Sequence, residues 1–276
     1  MRPARGGRVF LVLPTHAAYR RRVISDKRWD TLSVMQLGAM VAMTLGLALG
    51  LSSLLGPSLG SWVKPQEVML LSVVISLLCV QGTVPIWVHQ LLRRNAQTWG
   101  EAFGITQRNY RQCVTLALLA LVVALFGMGV LSYLASTVLE VAADRTGWAW
   151  LKPQPQAIAE LLQNKWPWWL LVLQAFTAII VAPVGEELLF RGVLYGFIKQ
   201  RGYPRLALWI SAVLFATVHN NAVGFLFFIF LSLILVAIYE QTKNIFAPIL
   251  LHALFNAVNF TLIVAQPKWA EKLMDS

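Results

Sequence analysis

From Cys113 to Val138 the chain runs 26 residues without a charged side chain. About 20 apolar residues suffice to cross a bilayer as a helix. Comparable blocks recur at Val34–Leu55, Val68–Leu92, Trp168–Phe197, Leu206–His219, Ala222–Tyr239 and Ile245–Ala265. In hydrocarbon each backbone polar group must find its partner within the protein, and a helix achieves that within one segment. The chain therefore reads as all-α, a polytopic transmembrane bundle of seven spans, or eight if one block is split. Pro85 marks a kink near the end of the second block. The fourth block exceeds one perpendicular span and must tilt or project.

Of the 276 residues 58% are hydrophobic and only 13% charged, outside the range of soluble globular domains. The net charge of +11 is not a nucleic-acid footprint. Its basic residues gather at Arg2–Arg28, Arg93–Arg111 and Lys199–Arg205, linkers that fall on one side of the membrane. That bias places the N-terminal tail in the cytoplasm, or in the stroma for a plastid membrane. The tail has no acidic residue before Asp26, and its Val9–Leu13 run is too short for a signal-peptide core. Cys79 and Cys113 have no metal-ligand or disulfide spacing and read as small buried hydrophobes.

These features divide the chain into a basic tail (1–30), a first set of helices with an interfacial loop (31–167), a polar-bearing membrane core (168–265) and a short tail (266–276). The loop from Glu140 to Trp166 contains Pro153 and Pro155. Trp148, Trp150, Trp166, Trp168 and Trp169 in and beside it suit a membrane–water interface.

The membrane core carries polar groups where lipid disfavours them. Pro183 to Gly192 reads P-V-G-E-E-L-L-F-R-G, directly after a run from Trp168 with no ionisable side chain. A charge at mid-bilayer costs at least ~2.5–3.5 kcal/mol. Glu187 and Arg191 stand four apart on a helix, acid before base, and can neutralise each other. Glu186 points about 100° away from Glu187 and has no such partner. A desolvated, unpaired carboxylate is suited to take and return a proton. The bland alternative is that all three charges snorkel to an interface. Against it, Leu188, Leu189 and Phe190 lie among them and an apolar run follows.

Two further polar groups follow in apolar segments. His219 ends L-F-A-T-V-H one turn after Phe215. Taken alone, a histidine there is more often a satisfied core residue than a catalyst. His252 and Asn256 share a face of the last segment, with Asn259 close by, and such a stripe points into the bundle or a cavity.

The three constellations resemble the CPBP family of intramembrane proteases, which includes the eukaryotic CAAX prenyl protease 2 and the bacterial Abi proteins. The family pattern is E-E-x-x-x-R, then F-x-x-x-H, then H-x-x-x-N or D. Here it stands as Glu186-Glu187-L-L-F-Arg191, Phe215-A-T-V-His219 and His252-A-L-F-Asn256, all between Trp168 and Ala265. The resemblance implies that Glu186 is the general base activating water and His219 assists it. It implies that His252 and Asn256 stabilise the oxyanion, with Glu187 and Arg191 holding the helix. The expected activity is endoproteolysis of a peptide or of a membrane-associated or lipidated substrate within or just above the bilayer. The eukaryotic enzyme has an eighth span that is not found here.

Other readings compete. Glu186, His219 and His252 could ligate catalytic zinc, although the H-E-x-x-H helix signature is absent. Metal-free glutamate catalysis, without a cofactor, is favoured. A non-catalytic scaffold binding partner membrane proteins would not need an unpaired Glu186. A proton-coupled transporter should show inverted repeats, yet the polar residues crowd into the last third.

Overall fold

The computed structural model describes residues 29–59, 65–75, 81–105, 108–148, 167–219 and 221–274. The basic tail before Trp29, Cys79, Pro153, Pro155, Trp150 and Trp166 lie outside the described residues. The regular structure among them is helical, with no strand. The helices are α1 (Thr31–Leu59), α2 (Pro65–Ile75), α3 (Val84–Arg94), α4 (Trp99–Phe103), α5 (Tyr110–Thr146), α6 (Trp168–Gln200), α7 (Pro204–Val218), α8 (Phe225–Thr242) and α9 (Phe246–Met274).

Four of these are long and apolar enough to cross a membrane: α5, α6, α8 and the Phe246–Ala265 part of α9. The chain is an integral membrane protein. The expected seven spans are not reached among the described residues. Thr31–Leu47 and α7 are shorter apolar stretches. The second block is not one kinked helix, because a turn at Gly82–Thr83 precedes Val84 and α3 starts afresh there. Proline lacks an N–H, which is harmless in a helix's first turn, so Pro85 opens α3 rather than bending a longer helix. The short tail expected from residue 266 is helical as far as Met274, in line with α9.

Small residues set the packing of α5. Cys113, Ala117, Ala124 and Gly127 are buried on one face, where they let α8 and α9 approach. Leu118, Leu119, Val122 and Phe126 are exposed on the other, as a lipid-facing surface requires. The core between α5, α6, α7, α8 and α9 is built on Phe190, Phe215, Phe227, Leu231, Leu251 and Phe255.

One end of the bundle is tied by polar contacts that draw the basic linkers together. The Trp29 N–H donates to Gln200 Oε1 at 2.9 Å and the Asp30 N–H to Asn95 Oδ1 at 2.8 Å. Lys199, part of the third basic linker, is buried and ion-paired with Glu240. The short helix α4 is closed by a capping box, Thr98 with Glu101, and ends at Gly104 with φ 70°. Phe103 O accepts the Ile245 N–H at 2.9 Å, which pins α4 against the α8–α9 turn. A Cβ on Gly104 would lie 1.7 Å from the Lys243 carbonyl oxygen. Left-handed strain alone costs about 1–2 kcal/mol, and the backbone clash adds to it. Gly104→Ala is therefore expected to lower the thermal midpoint in detergent by several degrees, and an unchanged midpoint would contradict this packing.

Candidate active site

The site is built on α6, which changes register twice. Thr177–Val181 and Leu188–Tyr195 are π-helical, with six α-helical residues, Ala182–Glu187, between them. Wide π turns recur at functional sites because they re-aim side chains. Here Glu186 and Glu187 fall on the short α-helical piece between the two wide ones. Gly185 allows a close approach: a Cβ would meet the Gln81 carbonyl oxygen at 3.0 Å. The turn between α2 and α3 thus packs beside the carboxylate pair.

Glu187 and Arg191 are fully buried, which removes the snorkelling alternative for them. Their ion pair is 2.9 Å long, between Oε1 and Nη1. Arg191 Nη2 donates to Ser232 Oγ at 2.8 Å, and its guanidinium carbon stands 4.4 Å from the centre of the Phe215 ring. Glu187 Oε1 also takes His252 Nδ1 at 2.9 Å. A chain Ser232–Arg191–Glu187–His252 therefore links α8, α6 and α9 through charge-assisted contacts.

Glu186 faces the other way. Its Oε2 lies 3.9 Å from His219 Nε2 and 3.9 Å from His252 Nε2. That oxygen is buried and has no hydrogen-bond partner among the described residues. The structure thus brings Glu186, His219 and His252 together from three helices.

The far ring nitrogens settle what the near ones present. His219 Nδ1 is 2.6 Å from the Phe215 carbonyl oxygen, which can only accept, so Nδ1 carries the proton. His252 Nδ1 likewise donates to the Glu187 carboxylate. In their neutral forms both rings then turn a bare Nε2 lone pair towards Glu186. His219 is also held by its faces: Phe228 stacks on it with centroids 4.1 Å apart, and Phe215 lies at 4.6 Å.

Asn256 is placed differently. Its Nδ2 donates to the Ala178 carbonyl oxygen at 2.8 Å, joining α9 to the first π segment of α6. Asn259 turns back on its own helix, donating to Phe255 O at 2.8 Å. Sequence reasoning missed Ser232 and Phe228, whose polar and aromatic identities are unremarkable within the apolar run of α8. It also missed Ala178, which acts through its backbone and leaves no residue-type signal.

The donor chemistry of Glu186, His219 and His252 suits zinc. Ligands held tetrahedrally at ~2.0–2.1 Å lie about 3.3 Å apart, closer than the 3.9 Å separations of Glu186 Oε2 from each histidine Nε2. Among the described residues no group of three or more His, Cys, Asp or Glu is arranged to hold a metal ion.

Residues 167–258 match a family model described as "Type II CAAX prenyl endopeptidase Rce1-like". The Bacillus subtilis protein named "Putative membrane peptidase YdiL" is 25% identical over 134 residues, 49% of this chain and 50% of that protein. The Lactococcus lactis protein "UPF0177 protein YxdF" is 32% identical over 87 residues, 31% of this chain and 48% of that protein. "UPF0177 protein YaiH", from the same species, is 33% identical over 93 residues, 33% of this chain and 38% of that protein. The chain spans half or less of the length of these curated relatives. No solved structure matches it. The matched block, 167–258, is the one that holds Glu186, His219, His252 and Asn256.

Proposed function

We propose that Glu186, His219 and His252 form the water-activating centre of a glutamate-type intramembrane endopeptidase. Its substrate is a peptide or a membrane-associated or lipidated protein. The observation that carries this reading is the unbonded, buried Glu186 Oε2, 3.9 Å from both histidine Nε2 atoms. That separation is too long for a direct hydrogen bond and leaves each pair within reach of one bridging water.

In the proposed reaction Glu186 removes a proton from this water while its oxygen attacks the scissile carbonyl carbon. The lone pair on His219 Nε2 orients the water. The carbonyl π electrons move to oxygen, and the tetrahedral intermediate then collapses with loss of the C–N bond. Glu186 returns the proton to the departing amine. His252, held through Nδ1 by Glu187, serves in this reading as the oxyanion donor, presenting Nε2–H to the developing charge when its ring carries both protons.

The orientation follows the basic linkers. The end tied by Trp29, Asn95, Gln200 and Lys243 is proposed to face the cytoplasm, or the stroma in a plastid. Glu186 lies roughly 20 Å along α6 from Gln200 at ~1.5 Å per residue, so the chemistry occurs within the bilayer.

The test is cleavage of a membrane-peptide panel, including prenylated C-termini, by purified protein with and without chelator. Cleavage that survives chelation is expected. Loss on chelation with recovery on adding zinc would overturn the glutamate mechanism. Cleavage confined to prenylated C-termini would narrow the substrate class to CAAX-type proteins.

A further inference from the structure

The first π segment of α6 contains a carbonyl, that of Ala178, whose hydrogen bond the helix itself does not complete. The Ala182 N–H bonds to the Thr177 carbonyl, five residues back. The next bond in that register would run from residue 183 to Ala178 O, but residue 183 is proline and has no N–H. The α-register donor for Ala178 O would be the Ala182 N–H, which is the one committed to Thr177. Ala178 O is thus left without a donor in both registers, in the π register because residue 183 is proline and in the α register because the Ala182 N–H goes to Thr177. Asn256 Nδ2 supplies the missing donor at 2.8 Å from another helix.

We infer that Asn256 is a positioning residue, a side-chain substitute for the backbone N–H that Pro183 lacks, which fixes the register change that aims Glu186. Pro183 lies three residues before Glu186, and Asn256 lies one turn after His252 on α9. The same side chain therefore ties the helix carrying the proposed base to the helix carrying the proposed oxyanion donor. An unpaired carbonyl buried in a low-dielectric bundle is costly, so removing the amide lets this part of α6 shift register rather than leave the oxygen bare. This differs from the oxyanion role implied by the resemblance, in which the Asn256 amide addresses the substrate.

The inference rests on the protease reading only for its kinetic readout, and a double-mutant cycle with two readouts separates the two. Asn256→Ala, Pro183→Ala and the double variant are compared by thermal midpoint in detergent and by kcat and KM. Alanine at 183 restores an N–H in register for Ala178 O. The double variant should regain roughly 2–4 °C of midpoint relative to Asn256→Ala and about tenfold in kcat with KM little changed. Strictly additive losses in midpoint would overturn the inference, whatever the activity. Regained midpoint without regained kcat would return Asn256 to the oxyanion and overturn its assignment as a positioning residue. Coupled midpoints in a protein that cleaves nothing would support the helix brace while removing the protease reading. If Asn256→Ala does not fold, a double variant that folds is itself the rescue; if neither folds, Asn256→Ser is the milder replacement for the same cycle.

Discussion

Glu186→Gln is expected to lower kcat by about 10²–10⁴-fold, the range for losing a positioned general base, with little change in the thermal midpoint. Glutamine keeps the shape of the side chain and removes its ability to hold a proton during the reaction. The small structural effect follows from the geometry. Glu186 makes no hydrogen bond through Oε2, and the two histidine Nε2 atoms that face it are 3.9 Å away. A carboxylate kept for stability would be paired, as its neighbour Glu187 is. A variant with full activity would remove Glu186 from the chemistry. A variant that unfolds would show that the carboxylate holds the three helices together.

Arg191→Met should have the larger effect on stability, about 3–5 kcal/mol, because it takes the arginine of a buried ion pair away from the Glu187 carboxylate. For a chain of this size that corresponds to a fall in midpoint on the order of 10 °C. Arg191 is fully buried, bonds to Glu187 and Ser232, and packs over the Phe215 ring. Ser232→Ala removes one acceptor from this charged donor and is expected to cost about 1.5–3 kcal/mol. The combined Glu187→Gln and Arg191→Met variant removes both charges and should lose less than the sum of the singles. Thermal unfolding in detergent measures these three variants and the Glu187→Gln single. Additive single losses would contradict a coupled pair.

The three charged and polar constellations were legible in the sequence because hydrocarbon makes intramembrane ionisable groups expensive and therefore conspicuous. Spacing alone paired Glu187 with Arg191 and left Glu186 without a helical partner, and the structure has both features. What brings His219 and His252 to Glu186 is tertiary, and no periodicity within one helix encodes it.

Helix identity was also easier to read than helix limits. The apolar block beginning at Cys113 is part of a 37-residue helix, because polar residues near its ends remain compatible with helix outside hydrocarbon. The block around Pro85 misled: an apolar run looks continuous in hydropathy even where a proline begins a new helix. The helix at Trp99–Phe103 was within reach, since Thr98 and Glu101 have capping-box spacing and Gly104 follows. It was hidden by reading a basic stretch as linker. The π segments leave no pattern in residue type, yet Pro183 inside an apolar run was a sign that some carbonyl needed another donor.

The most direct test of water activation by Glu186 is a single turnover of wild-type protein in ¹⁸O-labelled water, with mass analysis of both product and protein. The account predicts one ¹⁸O in the newly formed C-terminal carboxylate and none in Glu186. Label in the Glu186 carboxylate, with an unlabelled product, would mean that the carboxylate itself attacked the substrate, and would contradict it.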